Sequence, residues 1–216
     1  MRVRFPSNIP FLALGAWILC VGWFGFNGGS PFAANGDAVA AAFVTHISAA
    51  TACCTWMLWE RMRFGKASLI GIATGMVAGL ASITPAAGHV GPVGALIIGG
   101  VAGILCQEMI NIIKQNFSID DSLDVFAVHG VGGIWGTLAL PFLAAGALGG
   151  AGLDVSAMAQ FVVQLAGVLI VAAFTVVMTV VIALVCRALV GMRTDKDEEQ
   201  EGLDLTAHGE RAYDLS

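Results

Sequence analysis

Long apolar runs, separated by short polar breaks, dominate this chain. The runs fall at 8–29, 37–60, 67–85, 91–114, 122–145 and 157–191. A helix needs roughly 20 residues to cross the hydrocarbon core of a bilayer, so each run is long enough to span. The last exceeds the bilayer, and its end is expected to project into the cytoplasm. The breaks are rich in turn formers, as in Asn27-Gly28-Gly29-Ser30-Pro31 and Thr84-Pro85-Ala86-Ala87-Gly88. The pattern predicts an all-α, polytopic transmembrane helical bundle with about six spanning helices. Met1 to Arg4 is basic and precedes an apolar run, as in a signal peptide. That run outlasts a signal core, carries no clear small-residue cleavage site and is followed by further spans, so it reads as the first membrane helix.

Charge fixes an orientation. The positive residues are Arg2 and Arg4 before the first span; Arg61, Arg63 and Lys66 between the second and third; Lys114 at the close of the fourth; and Arg187, Arg193, Lys196 and Arg211 at or after the end of the sixth. With six spans, all ten lie on one side, and the loops near 30–36, 86–91 and 146–156 carry none. Lysine and arginine stay on the cytoplasmic side, so both ends are expected in the cytoplasm of a multi-pass inner (plasma) membrane protein. Trp56 and Trp59, beside Glu60 and Arg61, fit an interfacial aromatic belt.

Composition agrees. The chain of 216 residues is 57% hydrophobic and only 12% charged, where soluble domains carry about a quarter. The net charge of -5 comes mostly from one tail and says little about partners. No basic cluster points to nucleic acid. Cys20, Cys53, Cys54, Cys106 and Cys186 all sit in apolar runs without C-x-x-C spacing, and read as small membrane-buried hydrophobes rather than a metal site or disulfide. Gly71, Gly75 and Gly79 recur every four residues, as do Ala95, Gly99 and Gly103, and Gly132 with Gly136. Small residues at this spacing let helix backbones approach closely in lipid. The domain division is a membrane domain over 1–193 and a polar cytoplasmic tail over 194–216, acidic from Asp195 to Glu201.

Few residues could carry chemistry. Trp23, Phe26 and Ser30 stand at i, i+3 and i+7 toward the outer end of the first span, and share one face if the helix reaches that far. An aromatic face attracts cations, and a hydroxyl accepts a hydrogen bond from an N–H donor. An aromatic belt with a capping serine is the alternative. His129 lies inside the fifth span, where an ionisable group is costly and points to function; a neutral imidazole could receive a dehydrating amine or relay a proton. Asp124, near the inner end of that span, caps the helix or ties down loops. His46 reads as an interhelical hydrogen-bonding residue, and Glu108 as a carboxylate reaching toward water. No nucleophile triad, phosphate-binding loop or metal-ligand cluster appears, so neither an enzyme nor a cofactor is expected.

Several stretches resemble the ammonium transporter (Amt/Mep/Rh) family. They are Gly22 to Ser30, Gly65 to Leu69, Ile83 to Gly88, Asp120 to Asp124, and Asp124 to Gly136. Glu201 to Asp204, with His208 to Tyr213, resembles that family's cytoplasmic tail. The resemblance implies an eleven-helix fold, two inverted five-helix repeats plus one long final helix, assembled as a trimer with one pore per subunit. This chain matches the second repeat and the final helix, half of that fold, and Met1 reads as a mid-protein methionine. By resemblance, Phe26 is one of two stacked rings gating the outer mouth, Ser30 helps recruit ammonium, Trp23 lines the pore below, His129 is one of two paired pore histidines, and Asp124 is structural. The tail is implied to respond to PII-type signalling proteins.

The partner histidine, second gating ring, mouth tryptophan and recruiting-site aspartate belong to the family's first half, which is absent. His46 does not replace the missing histidine, because it is on a different helix. The resemblance therefore implies ammonium or methylammonium transport by a chain that needs first-half helices, from another polypeptide or lost by truncation, within a lipid-embedded trimer. The alternative is a non-conducting interaction or regulatory subunit that joins intact transporters.

Overall fold

The computed structural model describes residues 6, 8–119 and 121–211. Arg2 and Arg4, the first residue of the Asp120–Asp124 motif, and Ala212 and Tyr213 of the tail motif lie outside the described residues. The structure is built of helices: α1 (Ile9–Gly29), α2 (Gly36–Phe64), α3 (Leu69–Ile83), α4 (Pro92–Asn111), α5 (Gly132–Leu143), α6 (Ala157–Leu189) and two short ones, α7 (Lys196–Glu201) and α8 (Leu203–His208). A 3-10 turn, Thr84–Ala86, extends α3. Two wide π-turns, Ile112–Asn116 and Phe126–Val131, extend α4 and precede α5. Six of these segments are long and apolar enough to cross a membrane, and they match the six apolar runs.

Local chemistry sets the boundaries. Asn8 caps α1 by accepting the Phe11 N–H, with Pro10 in the first turn. Asn35 caps α2 through the Ala38 N–H, and Gly65 ends it in the left-handed conformation that glycine adopts without a Cβ clash. Ser68 caps α3 through the Gly71 N–H, and its own hydroxyl and amide donate to Glu60. The fifth span starts later than the apolar run, at Phe126 rather than 122, because Asp121 accepts the Val125 and Phe126 amides and Asp124 takes a left-handed φ of 57°.

The chain divides into two compact units, Met1–Val168 and Leu169–Ser216, with the division inside α6. In the second unit, Arg193 pairs with Glu199 at 3.6 Å. No residue of α6 is buried among the described residues. A helix that is apolar all round needs lipid or protein around it.

In the first unit α2 is the central post. A Cβ on Gly79 would stand 2.6 Å from the Ser48 carbonyl oxygen, and one on Gly99 would strike the same oxygen. Gly75 and Gly103 back onto Trp56 and Ala52 in the same way. The glycine stripes of α3 and α4 therefore bring both backbones against α2, and the Ser48 hydroxyl donates to the Gly79 carbonyl at 2.9 Å. Trp56 is 4% exposed and lies in the room these glycines leave, with Ala78, Cys106 and Val128. It is a core residue, which corrects the belt reading. Trp59 donates to Glu108 at 2.6 Å, and Arg63 pairs with the same carboxylate at 3.2 Å.

Candidate functional site

Two elements carry the site. On α1, Trp23 and Phe26 are one turn apart and meet edge to face, with ring centroids at 6.0 Å and 73° between planes. Ser30 is the C-cap of α1 rather than a full helical position. Its hydroxyl donates to the Phe26 carbonyl at 3.0 Å, satisfying an end-of-helix acceptor. His129 lies on the π-turn that precedes α5. Its imidazole stacks on the Trp23 indole, centroids 6.2 Å apart and planes 17° apart. Residues 106 apart in sequence thus form one aromatic face.

The face is held from behind. The Trp23 indole N–H donates to the Thr84 hydroxyl at 2.8 Å, and that hydroxyl donates to the Leu80 carbonyl at 2.8 Å. One turn further on, buried Asn27 donates to Thr45 at 2.9 Å, and Thr45 donates to the Ala41 carbonyl at 2.6 Å. Both polar chains turn α1's hydrogen-bonding groups inward, toward α2 and the end of α3. The opposite side of Trp23 carries only ring surface.

That side is open. Phe26 is 62% exposed and His129 is exposed. Three adjoining recesses run along it. One of about 280 Å³ is lined by Leu19, Gly22, Trp23 and Phe26. A second, of about 210 Å³, shares Leu19 and reaches Val77 and His129. A third, of about 750 Å³, shares His129 and continues past Phe126, Ile113 and Asp121. Together they form a groove whose walls are largely apolar and aromatic, with Thr74 and the His129 imidazole midway and Asp121 at the far end. It runs from the α1 C-terminus to the end where α4 and the fifth span are joined. An ionisable ring on an open, membrane-depth surface is unfavourable in lipid and calls for a covering surface or water.

At that far end Lys114 pairs with Asp124 at 2.6 Å. Helix capping there is done by Asp121, and Asp124 instead ties α4's last turn to the start of the fifth span. Burial pushes the Asp124 carboxyl above the ordinary range, outweighing the opposing pull of Lys114. His46 is exposed and meets Phe24 edge-on at 5.8 Å and 64°; among the described residues it makes this ring contact in place of the interhelical hydrogen bond. Among the described residues no cluster of histidine, cysteine and carboxylate could hold a metal ion.

Sequence reasoning missed Thr84 and Lys114. Thr84 lies in the Ile83 to Gly88 motif, which was the available signal; Lys114 had served only to orient the chain.

The sequence pattern of the Ammonium Transporter Family matches residues 2–213. An "Ammonium transporter" of Aquifex aeolicus is 43% identical over 97% of this chain and 50% of its own length. "Ammonium transporter Amt1" of Archaeoglobus fulgidus is 45% identical over 96% of this chain and 53% of its own length. The solved structure "Sensor Amt Protein" superposes with a TM-score of 0.85 at 30% identity, covering 92% of this chain and 49% of that one. The chain spans about half the length of the curated relatives it matches.

Proposed function

Because the chain belongs to the ammonium transporter family, we propose that it forms one wall of an ammonium-conducting pore whose other wall is a five-helix first half. It is a multi-pass membrane protein. The observation that carries the reading is the open groove along which Phe26, Trp23 and His129 form one continuous aromatic face.

Ammonium binds at the Phe26 end, where ring faces attract a cation and Ser30 contributes a hydroxyl. Moving an intact charge past mid-membrane costs roughly 2.5–3.5 kcal/mol or more. Loss of a proton removes most of that cost, and neutral ammonia then passes His129, whose ring offers one donor and one acceptor. Inverted-repeat transporters hold substrate between their two repeats, and this chain matches one of them, so the facing wall of the pore is a first repeat. A second copy of this chain does not supply it. The one-sided lysines and arginines favour a single orientation, and the facing repeat is the inverted one. The same charges favour cytoplasmic ends, and the proposed location is the inner (plasma) membrane. Long apolar α6, with no residue buried within the chain, meets neighbouring subunits of a trimer, and the tail after Arg193 answers to PII-type signalling proteins.

The test is methylammonium uptake in cells lacking their own ammonium transporters, with this chain alone and with a matching five-helix half. Uptake only with the added half is expected. Uptake by the chain alone overturns the need for a second wall. No uptake in either case, with insertion verified, favours a non-conducting interaction subunit.

A further inference from the structure

We propose that Lys114 is a positioning residue for His129: its ion pair with Asp124 holds the π-turn Phe126–Val131 in the register that lays the imidazole flat on Trp23. The inference rests on the proposed pore for its functional meaning, though not for its geometry.

Both partners stand at irregular backbone. Lys114 sits in the π-turn Ile112–Asn116 that ends α4. Asp124 has a φ of 57°, a left-handed conformation that is strained for a non-glycine residue and persists only when its surroundings impose it. The 2.6 Å pair with Lys114 is one such restraint. The Asp121 carboxylate, accepting the Val125 and Phe126 amides at 3.0 and 2.9 Å, is another. The Asp124 carbonyl then accepts the Val128 N–H at 2.9 Å, so the left-handed residue is also the first link of the turn that carries His129.

A π-turn takes in one residue more than an α-turn. Relaxing it to α geometry rotates what lies on one side by about 100°, the angle of a single residue. The far side cannot rotate: Gly132 backs onto Ser82 and Cys106, and Gly136 onto the Ser82 carbonyl. The rotation falls on 126–131, which swings His129 off Trp23. The largest recess is walled by Ile113 from the Lys114 turn and by Val125, Phe126 and His129 from the Asp124 turn. The same pair therefore spans the two walls of that recess.

The pair has little reason to exist for stability alone. Burial already disfavours the ionised carboxyl of Asp124, and Lys114 offsets that only in part. Partly buried ion pairs of this kind are often neutral or worse for folding, and a role in fixing register is the better-attested use.

The experiment uses the full chain in lipid nanodiscs with isotope-labelled histidine. His129 ring protons are assigned by their loss in His129→Gln, and their upfield displacement by the stacked indole is the readout. Asp124→Asn is expected to abolish that displacement while the melting temperature stays at or above wild type. Lys114→Met is expected to abolish it too, and Lys114→Arg to keep it. If Asp124→Asn and Lys114→Met both retain the wild-type His129 shift, the proposal is wrong. A second arm measures methylammonium uptake with the five-helix half present. Lys114→Met is expected to cut the maximal rate severalfold, by no more than His129→Ala does, with half-saturation unchanged, and an unaltered rate overturns the functional part of the claim. Absence of uptake by the wild-type combination sinks the pore reading instead, and the His129 shift then decides the positioning claim by itself.

Discussion

The imidazole of His129 and the indole of Trp23 lie 17° from parallel, 6.2 Å apart, although neither belongs to the same or an adjacent helix. His129 is exposed while Trp23 is anchored through its N–H to Thr84. The two rings therefore divide the work: one is anchored from behind, the other is exposed to whatever occupies the groove.

Replacing His129 by alanine should leave stability within about 0.5 kcal/mol, since exposed side chains contribute little. Methylammonium uptake with the five-helix half should nonetheless change severalfold. Thermal unfolding of the purified chain and uptake in transporter-deficient cells measure the two effects separately, and a collapse of both together would make His129 a folding residue.

Thr84→Val keeps the shape of the side chain and removes the acceptor for Trp23. The half-buried indole N–H is left unpaired at a cost of about 1 kcal/mol or more, whereas Thr84→Ser should stay near wild type. Uptake should fall with Thr84→Val and persist with Thr84→Ser. Equal behaviour of the two variants would show that the hydroxyl does not hold the ring.

Gly79→Val and Gly99→Val should destabilise by more than the 1–3 kcal/mol usual for overpacking, because each new Cβ meets the Ser48 backbone rather than a movable side chain. Gly133→Ala, with no atom within 4 Å of its added Cβ, is the control. Detergent-extracted chain monitored by size exclusion after heating gives the comparison. Parity between Gly99→Val and Gly133→Ala would overturn the packing assignment.

Asp124 sets a pH dependence. Its carboxyl is raised by burial, so the folded state holds its proton more tightly than the unfolded chain does. The stabilisation this provides is fully present below the ordinary carboxyl value of about 3.9 and is lost as the pH rises through the folded value. The stability of wild type minus that of Asp124→Asn should therefore be largest in acid and shrink toward neutral pH. A difference that grows with pH would mean that Lys114 dominates after all.

The six spans were legible because bilayer thickness imposes a length that apolar runs display directly. The shared face of Trp23 and Phe26 was legible from helical spacing. What bound that face was not, since Trp23 finds Thr84 across 61 residues and no periodicity announces such a partner. The π-turn under His129 was also hidden, because it depends on Asp121 and Asp124 acting on the backbone rather than on any apolar pattern. Trp56 misled for a related reason. Its neighbour Trp59 does reach Glu108 near the helix end, but Trp56 falls where Gly75 and Gly103 open a space for it. The sequence displays those glycines without saying which helix they face.

Ser48 is the point at which α3 and α4 both touch α2, one through Gly79 and the other through Gly99. Three helices clasped at one depth move as a block. When the surrounding bilayer thickens or thins, that block cannot shorten or slide internally, and the mismatch is taken up by tilt of helices outside it. In this unit one such helix is α1, which buries Cys20 and Asn27, turns about its ties at Trp23 and Asn27, and carries Phe26. Lipid chain length is thereby coupled to the aromatic wall of the groove, and sterols or short-chain lipids become a means of adjusting it without touching any residue that lines it.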